Sequence, residues 1–161
     1  MDCIFPNICA FCERDLEKEN KNFGLCENCF KQIEIYDFFS CGKCSARLPN
    51  NKKICHQNLK YILGKASSFK NEIIQKLIKG LKYERRQNLV EPISEIINLF
   101  IKKTGFDFKN YLIVSIPIHK SKEKIRGFNQ TELIGEYLSK KFNLKIIKDC
   151  LIKSINTKSQ T

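Results

Sequence analysis

Two stretches in the middle of the chain repeat apolar residues at helical spacing. Ile73, Ile74, Leu77, Ile78 and Leu81 fall on one face of a helix beginning near Glu72, with Lys76, Lys79 and Lys82 around its other side. A second run, Ile93, Ile96, Ile97 and Phe100, follows Pro92, whose missing N–H is tolerated early in a helix, and Lys102, Lys103 and Gly105 close it. Leu112 to Ile118, LIVSIPI, breaks that pattern. It is short, rich in β-branched residues and ended by a proline, which predicts a central strand buried on both faces of a parallel sheet. The next segment, HKSKEKIRGF, reads as a basic loop. Asn129 with Glu132 three residues on is a capping-box-like start to a helix that points Leu133, Ile134, Tyr137, Leu138 and Phe142 inward. Lys145 to Ile152 returns as a second strand, with Cys150 in its apolar core. Tyr61 to Leu63 and Ala66 to Phe69 predict a further short strand. The class is α/β, built on a unit of strand, basic loop, helix and strand.

Before residue 59 these periodicities vanish and cysteines take their place. Eight of the nine precede residue 56, and Cys150 stands apart. The chain therefore divides at residues 1–58, a metal-stapled head, and 59–161, a domain of about a hundred residues. No segment approaches the roughly 20 apolar residues of a membrane span, and the first residues lack the basic-then-apolar order of a secretory signal. The expected location is the cytoplasm, where disulfides are disfavoured and close cysteine pairs read as metal ligands. Cys9 with Cys12 and Cys26 with Cys29 are two CxxC pairs thirteen residues apart, the spacing of a closed tetrahedral Cys₄ zinc site. Cys41, Cys44 and Cys55 begin a further set, but Asn58 stands where a fourth pair would end. Three alternatives remain for it. His56 supplies a nitrogen, Cys3 folds back, or the site stays incomplete; adjacency to Cys55 counts against His56.

Charge changes the picture of the second part only. Residues 1–58 carry eight basic and eight acidic side chains, and residues 59–161 carry twenty-one and nine, so the whole excess of +12 lies behind the head. Two zinc ions on seven thiolates bring the total to about +9. A body this basic points to polyanions, phosphates or nucleic acid, with a merely solubilising surface as the competing explanation. In the basic segment Lys120, Lys122 and Arg126, with Gly127 free to take an unusual backbone angle, form a candidate phosphate site at the carboxyl end of the central strand.

The run Ser115-Ile116-Pro117-Ile118-His119, then Arg126-Gly127-Phe128-Asn129-Gln130, closely resembles the VPLH…RGFNQ signature of the bacterial ComF/GntX family of phosphoribosyltransferase-like proteins. Leu77 to Tyr83 is similar to that family's LI..LKY segment, and the cysteine pairs resemble its N-terminal double zinc ribbon. Asn156 to Thr161 resembles the stretch after the family's second strand. The resemblance implies an incomplete type I phosphoribosyltransferase-like parallel sheet with helices, linked to DNA uptake in naturally transformable bacteria. It also implies that a complete member would bind Mg²⁺ and phosphoribosyl pyrophosphate (PRPP), with Lys120, Lys122 and Arg126 on the diphosphate. The family's sugar-phosphate loop, paired aspartates followed by Thr-Thr-Gly, has no counterpart here: no Asp-Asp pair occurs, and Thr104-Gly105 follows a helix end. The expectation is a truncated member in which catalysis is absent or incomplete.

Three functions from different classes follow. One is a phosphoribosyltransferase-like enzyme of the glycosyltransferase class. Another is a competence factor that binds single-stranded DNA, with Tyr83, Tyr111 and Phe128 as stacking candidates set against ordinary packing roles. The third is a zinc-dependent interaction module for other competence proteins.

Overall fold

The computed structural model describes residues 8–16, 23–48, 55–56, 58 and 61–157. Its centre is a pair of helices that follow the two apolar stripes. Helix α2, Glu72–Tyr83, is capped by Asn71, whose side chain accepts from the N–H groups of Ile73 and Ile74, and it buries Ile73, Ile74, Leu77 and Leu81. A 3₁₀ turn, Gln87–Leu89, places Leu89 at full burial before helix α3, Val90–Thr104, which buries Pro92, Ile96 and Phe100. Gly105 ends α3 in the left-handed region, φ 61°, as a glycine after a helix does. Each fully buried aliphatic side chain stabilises the fold by about 1.5–3 kcal/mol.

The cysteine-rich head packs directly on this pair. Helix α1, Glu27–Lys31, buries Cys29, and strands β1, Phe39–Cys41, and β2, Ile62–Gly64, pair antiparallel with Cys41 opposite Ile62. The sheet of the head thus closes with residues beyond its last cysteine. Cys9, Leu16, Leu25, Cys29 and Ile33 share one apolar cluster with Ile73, Ile74, Leu77, Leu81, Leu89, Ile96 and Phe128. Lys76 donates to the Phe11 carbonyl at 3.1 Å, Lys103 to that of Ile35 at 3.1 Å, and Ser67 to that of Glu34 at 2.7 Å. These bonds satisfy loop carbonyls that the head's short strands leave over.

The remaining elements are β3, Ile113–Val114, α4, Lys120–Arg126, α5, Gln130–Phe142, and β4, Ile146–Ile147. Strands β3 and β4 are parallel, Ile113 opposite Ile146 and Val114 opposite Ile147. Helix α5 lies close over them: a Cβ on Gly135 would meet Ile146 at 2.9 Å and Ile113 at 3.3 Å. It is tied to α3 by Glu95, whose carboxylate accepts from the Tyr137 hydroxyl at 2.7 Å, from Lys141 at 2.6 Å and from Asn98 at 2.8 Å.

Several expectations for this part are corrected. The run from Leu112 to Ile118 is not a strand buried on both faces: only two residues pair, and Leu112, Val114 and Ile116 are exposed, Ile116 at 70%. Among the described residues α5 covers one face and nothing covers the other. The returning strand likewise shrinks to Ile146–Ile147, and Cys150 sits exposed in the turn that follows, its N–H bonded to the Lys148 carbonyl. Ala66 to Phe69 is not strand. The inward residues of α5 are half-buried, with Leu133 and Ile134 against the core. The basic segment is helical, because the His119 ring accepts from the Ser121 N–H as a cap and Gly127, at φ 84°, stops the turn. Of the tail from Asn156 to Thr161, residues 158–161 lie outside the described residues.

Candidate metal centres and cationic clefts

The first cysteine set converges from a hairpin and a helix start. Cys9 and Cys12 flank a tight turn in which the Glu13 N–H bonds back to the Cys9 carbonyl and Glu13 takes φ 63°. Cys26 stands at the cap of α1 and Cys29 inside it. The four sulfurs lie within 4.8 Å of one another, Cys12 and Cys26 at 3.7 Å, and the Cys26 N–H points to the Cys9 sulfur at 3.4 Å.

The other set repeats the same hairpin. The Ser45 N–H bonds to the Cys41 carbonyl, Ser45 takes φ 59°, and the bridge of Ser40 with Arg47 occupies the place that Ile8 with Asp15 holds in the first. Cys41, Cys44, Cys55 and His56 offer four ligand atoms within 4.8 Å: Cys44 and Cys55 sulfurs are 3.8 Å apart, and Cys41 sulfur is 3.5 Å from His56 Nδ1. Cys3, the other candidate fourth donor, lies outside the described residues.

The four proposed phosphate residues are divided by the helix that replaces the loop. Successive residues of a helix turn by about 100°, so Lys122 and Arg126 share a face while Lys120 points roughly 160° away from Lys122. Lys120 lines a cleft of about 380 Å³ at the carboxyl ends of β3 and β4, where Lys148 also stands but Glu123, Glu132 and Asp149 share the walls, so its charge is mixed. Lys122 and Arg126 line another, of about 250 Å³, whose far wall is Lys82, Tyr83 and Arg85 from the end of α2. Gly127 is exposed and serves as the cap of α4. Phe128 is buried in the core, whereas Tyr83 and Tyr111 are exposed. Lys82 and Arg85 are the cleft cations that sequence reasoning missed: Lys82 read as the polar side of α2, and the run Glu84-Arg85-Arg86 at a helix end was the signal for Arg85.

Residues 1–59 match the family model of the double zinc ribbon domain. The chain begins with a double zinc ribbon. Over most of its length it is also similar to competence protein F of Haemophilus influenzae, 23% identical over 168 residues, which cover 98% of this chain and 70% of that protein. The DNA utilization protein YhgH of Escherichia coli K12 is 26% identical over 137 residues, 83% of this chain and 54% of the relative. YhgH of Escherichia coli O6:H1 is 24% identical over 157 residues, 95% and 63%. The chain thus spans between about half and 70% of the length of these relatives. They stand with the ComF resemblance carried by Arg126 to Gln130. No solved structure matches the chain.

The donor sets of the ribbon fit the ion its family name implies. A tetrahedron with Zn–S bonds of about 2.3 Å has sulfur–sulfur edges of about 3.8 Å, and a Zn–N bond of about 2.0–2.1 Å gives a sulfur–nitrogen edge of about 3.5 Å. The separations in both groups match these edges, and the sulfurs are far beyond the roughly 2.05 Å of a disulfide. The thiols are electrostatically prepared for a cation. Burial opposes the Cys9 thiolate, yet the N–H groups of Cys26, Cys12 and Phe11 outweigh it and hold its pKa at about 6. The Cys44 N–H does most to bring Cys41 to about 6, helped by Lys43 and His56. Burial, then the neighbouring sulfurs, pushes Cys29 far up; burial raises Cys26, and hydrogen bonding with Cys44 raises Cys55. Cys9 and Cys41 ionise readily while Cys26, Cys29 and Cys55 resist, until a divalent ion takes up the charge. Among the described residues no helix is long and apolar enough to cross a membrane.

Proposed function

We propose that this is a zinc-stapled protein of DNA uptake that handles single-stranded DNA in the cytoplasm. In this reading Cys9, Cys12, Cys26 and Cys29 hold one Zn²⁺ and Cys41, Cys44, Cys55 and His56 a second. Both are structural, since four protein donors leave no open position for substrate. The observation that carries the reading is the concentration of the whole charge excess in the part behind the ribbon, where one cleft gathers four basic side chains and no acidic one. The names of the relatives, a competence protein and DNA utilization proteins, support it. The test is binding of a labelled oligothymidine by the zinc-loaded chain across a salt series. Affinity should fall with salt at a log–log slope of about 0.7 per phosphate neutralised. Absence of binding at about 50 mM salt would sink the proposal.

A second reading belongs to the other cleft. The body is then part of a phosphoribosyltransferase-like sheet, and Lys120 binds a diphosphate at the carboxyl ends of β3 and β4, the place where open parallel sheets hold ligands. Its carboxylate partners for Mg²⁺ and ribose are the weak point, because no Asp-Asp pair exists in the chain. Calorimetric titration with PRPP and Mg²⁺ decides it: no heat at millimolar ligand removes the enzyme reading for this chain.

A further inference from the structure

The cleft between α2 and α4 combines three features that a solvated lysine surface does not need. Four cations, Lys82, Arg85, Lys122 and Arg126, converge on it from two elements far apart in sequence. Among the described residues none of them pairs with a carboxylate. Among the described residues Lys122 donates to the Thr157 carbonyl and Arg126 to the Gln130 side-chain oxygen, which leaves each with further donors. An aromatic ring stands among them: Tyr83 is 60% exposed even with the Arg126 guanidinium 5.6 Å from its centroid. The backbone is also unusual there. Arg85 adopts φ 56°, a left-handed conformation that costs an ordinary residue roughly 1–2 kcal/mol and that glycine or asparagine would take more readily.

We propose that this cleft seats one nucleotide of a single-stranded DNA, with its base stacked on the exposed Tyr83 ring and its flanking phosphates on Lys82, Arg85 and Lys122. The inference rests on the reading of the protein as a strand binder and names the site. Arg126, beside the ring, adds positive charge next to the stacked base, as arginine does in strand-binding grooves. A volume of about 250 Å³ is below the roughly 300–1,000 Å³ of pockets that enclose a whole ligand, which suits one unit of a chain that continues on both sides. Duplex DNA does not meet the site, because a paired base offers no free face to the ring. The competing role for the cations is capping: Lys82 and Arg126 lie in the last turns of α2 and α4, where positive charge is favoured without any ligand.

The chain contains no tryptophan, which makes a direct test available. In the zinc-loaded full chain Tyr83→Trp should show fluorescence quenching that saturates with oligothymidine, and Tyr111→Trp, on an exposed ring outside the cleft, should not. Tyr83→Ala should weaken binding by about fivefold or more, with Tyr83→Phe close to wild type. Arg85→Ala should lower the salt slope by about 0.7, and Lys102→Ala, away from the cleft, should leave the affinity within about twofold. If the wild type binds and Tyr83→Ala and Arg85→Ala bind equally well, the seat is wrong and the strand-binding reading survives. If the wild type binds no strand, both fall. Duplex bound as tightly as single strand also overturns the seat.

Discussion

Replacing Cys29 by alanine tests whether the ribbon is a structural part of the body. Cys29 is 3% exposed, and it shares the cluster in which Leu16, Leu25 and Ile33 of the head meet Leu77 and Leu81 of α2. Losing the first metal group releases those three head residues. At about 1.5–3 kcal/mol each they contribute about 5–9 kcal/mol, an upper estimate because the unfolded chain already buries some of that surface. A domain is stable by about 5–15 kcal/mol in total, so the loss is of the same size as the whole margin. Cys55→Ala is the matched control: its thiol is exposed, and the second group rests on the short pair β1 and β2. The assay is hydrogen exchange at the Leu77 and Leu81 amides, read beside zinc content by mass spectrometry. Cys29→Ala should speed exchange in α2 by about a thousandfold or more, and Cys55→Ala by less than about tenfold. Protection in α2 within tenfold of wild type, with the first ion demonstrably gone, would refute the shared-core argument.

Three further outcomes are expected. Gly80→Ala should destabilise by about 1–2 kcal/mol in urea, because the helix propensity gain of about 1 kcal/mol is outweighed by a Cβ placed 2.6 Å from Leu89, a fully buried side chain with no room to yield; a higher midpoint would contradict this. Glu95→Gln should cost about 1–3 kcal/mol at neutral pH by weakening the carboxylate's bonds to Tyr137 and Lys141. Burial opposes the Glu95 charge, but Lys141, Tyr137 and Asn98 hold its pKa below the ordinary value, so this stability is present above about pH 4.3 and is lost as pH falls through the folded value. The gap between wild type and variant should therefore close in acid, and a gap independent of pH counts against the network. In a cobalt titration the wild type should take up two equivalents and His56→Ala one tight equivalent, with His56→Cys restoring the second; unchanged uptake by His56→Ala would remove His56 as a donor.

Helices α2 and α3 were legible because each repeats its apolar stripe over three or more turns, a signal that needs no knowledge of the neighbours. The strand was over-read for the opposite reason. LIVSIPI has the composition of a doubly covered strand, yet coverage is a property of what packs on it, and α5 covers one face only. Helix α4 was hidden by its cap: His119 does the work more often done by serine or aspartate, and so the lysines after it read as a loop. Asn129 caps α5 as expected, accepting from the Thr131 N–H, but the other half of the box did not form because Glu132 pairs with Lys148. Tyr83 and Tyr111 lie beside apolar runs but project from their ends, where periodicity no longer says which way a side chain faces.

The metal groups show what cysteine spacing carries and where it stops. Four cysteines in two CxxC pairs were enough for the first group, because a knuckle is a local structure. In the other group the spacing breaks at Asn58, and adjacency to Cys55 counted against His56. In the structure Nδ1, the ring nitrogen nearer the backbone, lies 3.5 Å from the Cys41 sulfur. The repeated hairpin, with Ser45 in the left-handed position that Glu13 holds in the first, prepares Cys41 and Cys44 for a fourth donor of either kind. The cationic cleft had no such local signature. Lys122 and Arg126 read as phosphate ligands together with Lys120, and Lys82 as the solvent side of a helix; only the packing of the end of α2 beside α4 joins Lys82, Arg85, Lys122 and Arg126 into one surface with a ring among them. A charge excess in the sequence therefore gives the sign of the partner. The fold decides where on the molecule that charge becomes a site.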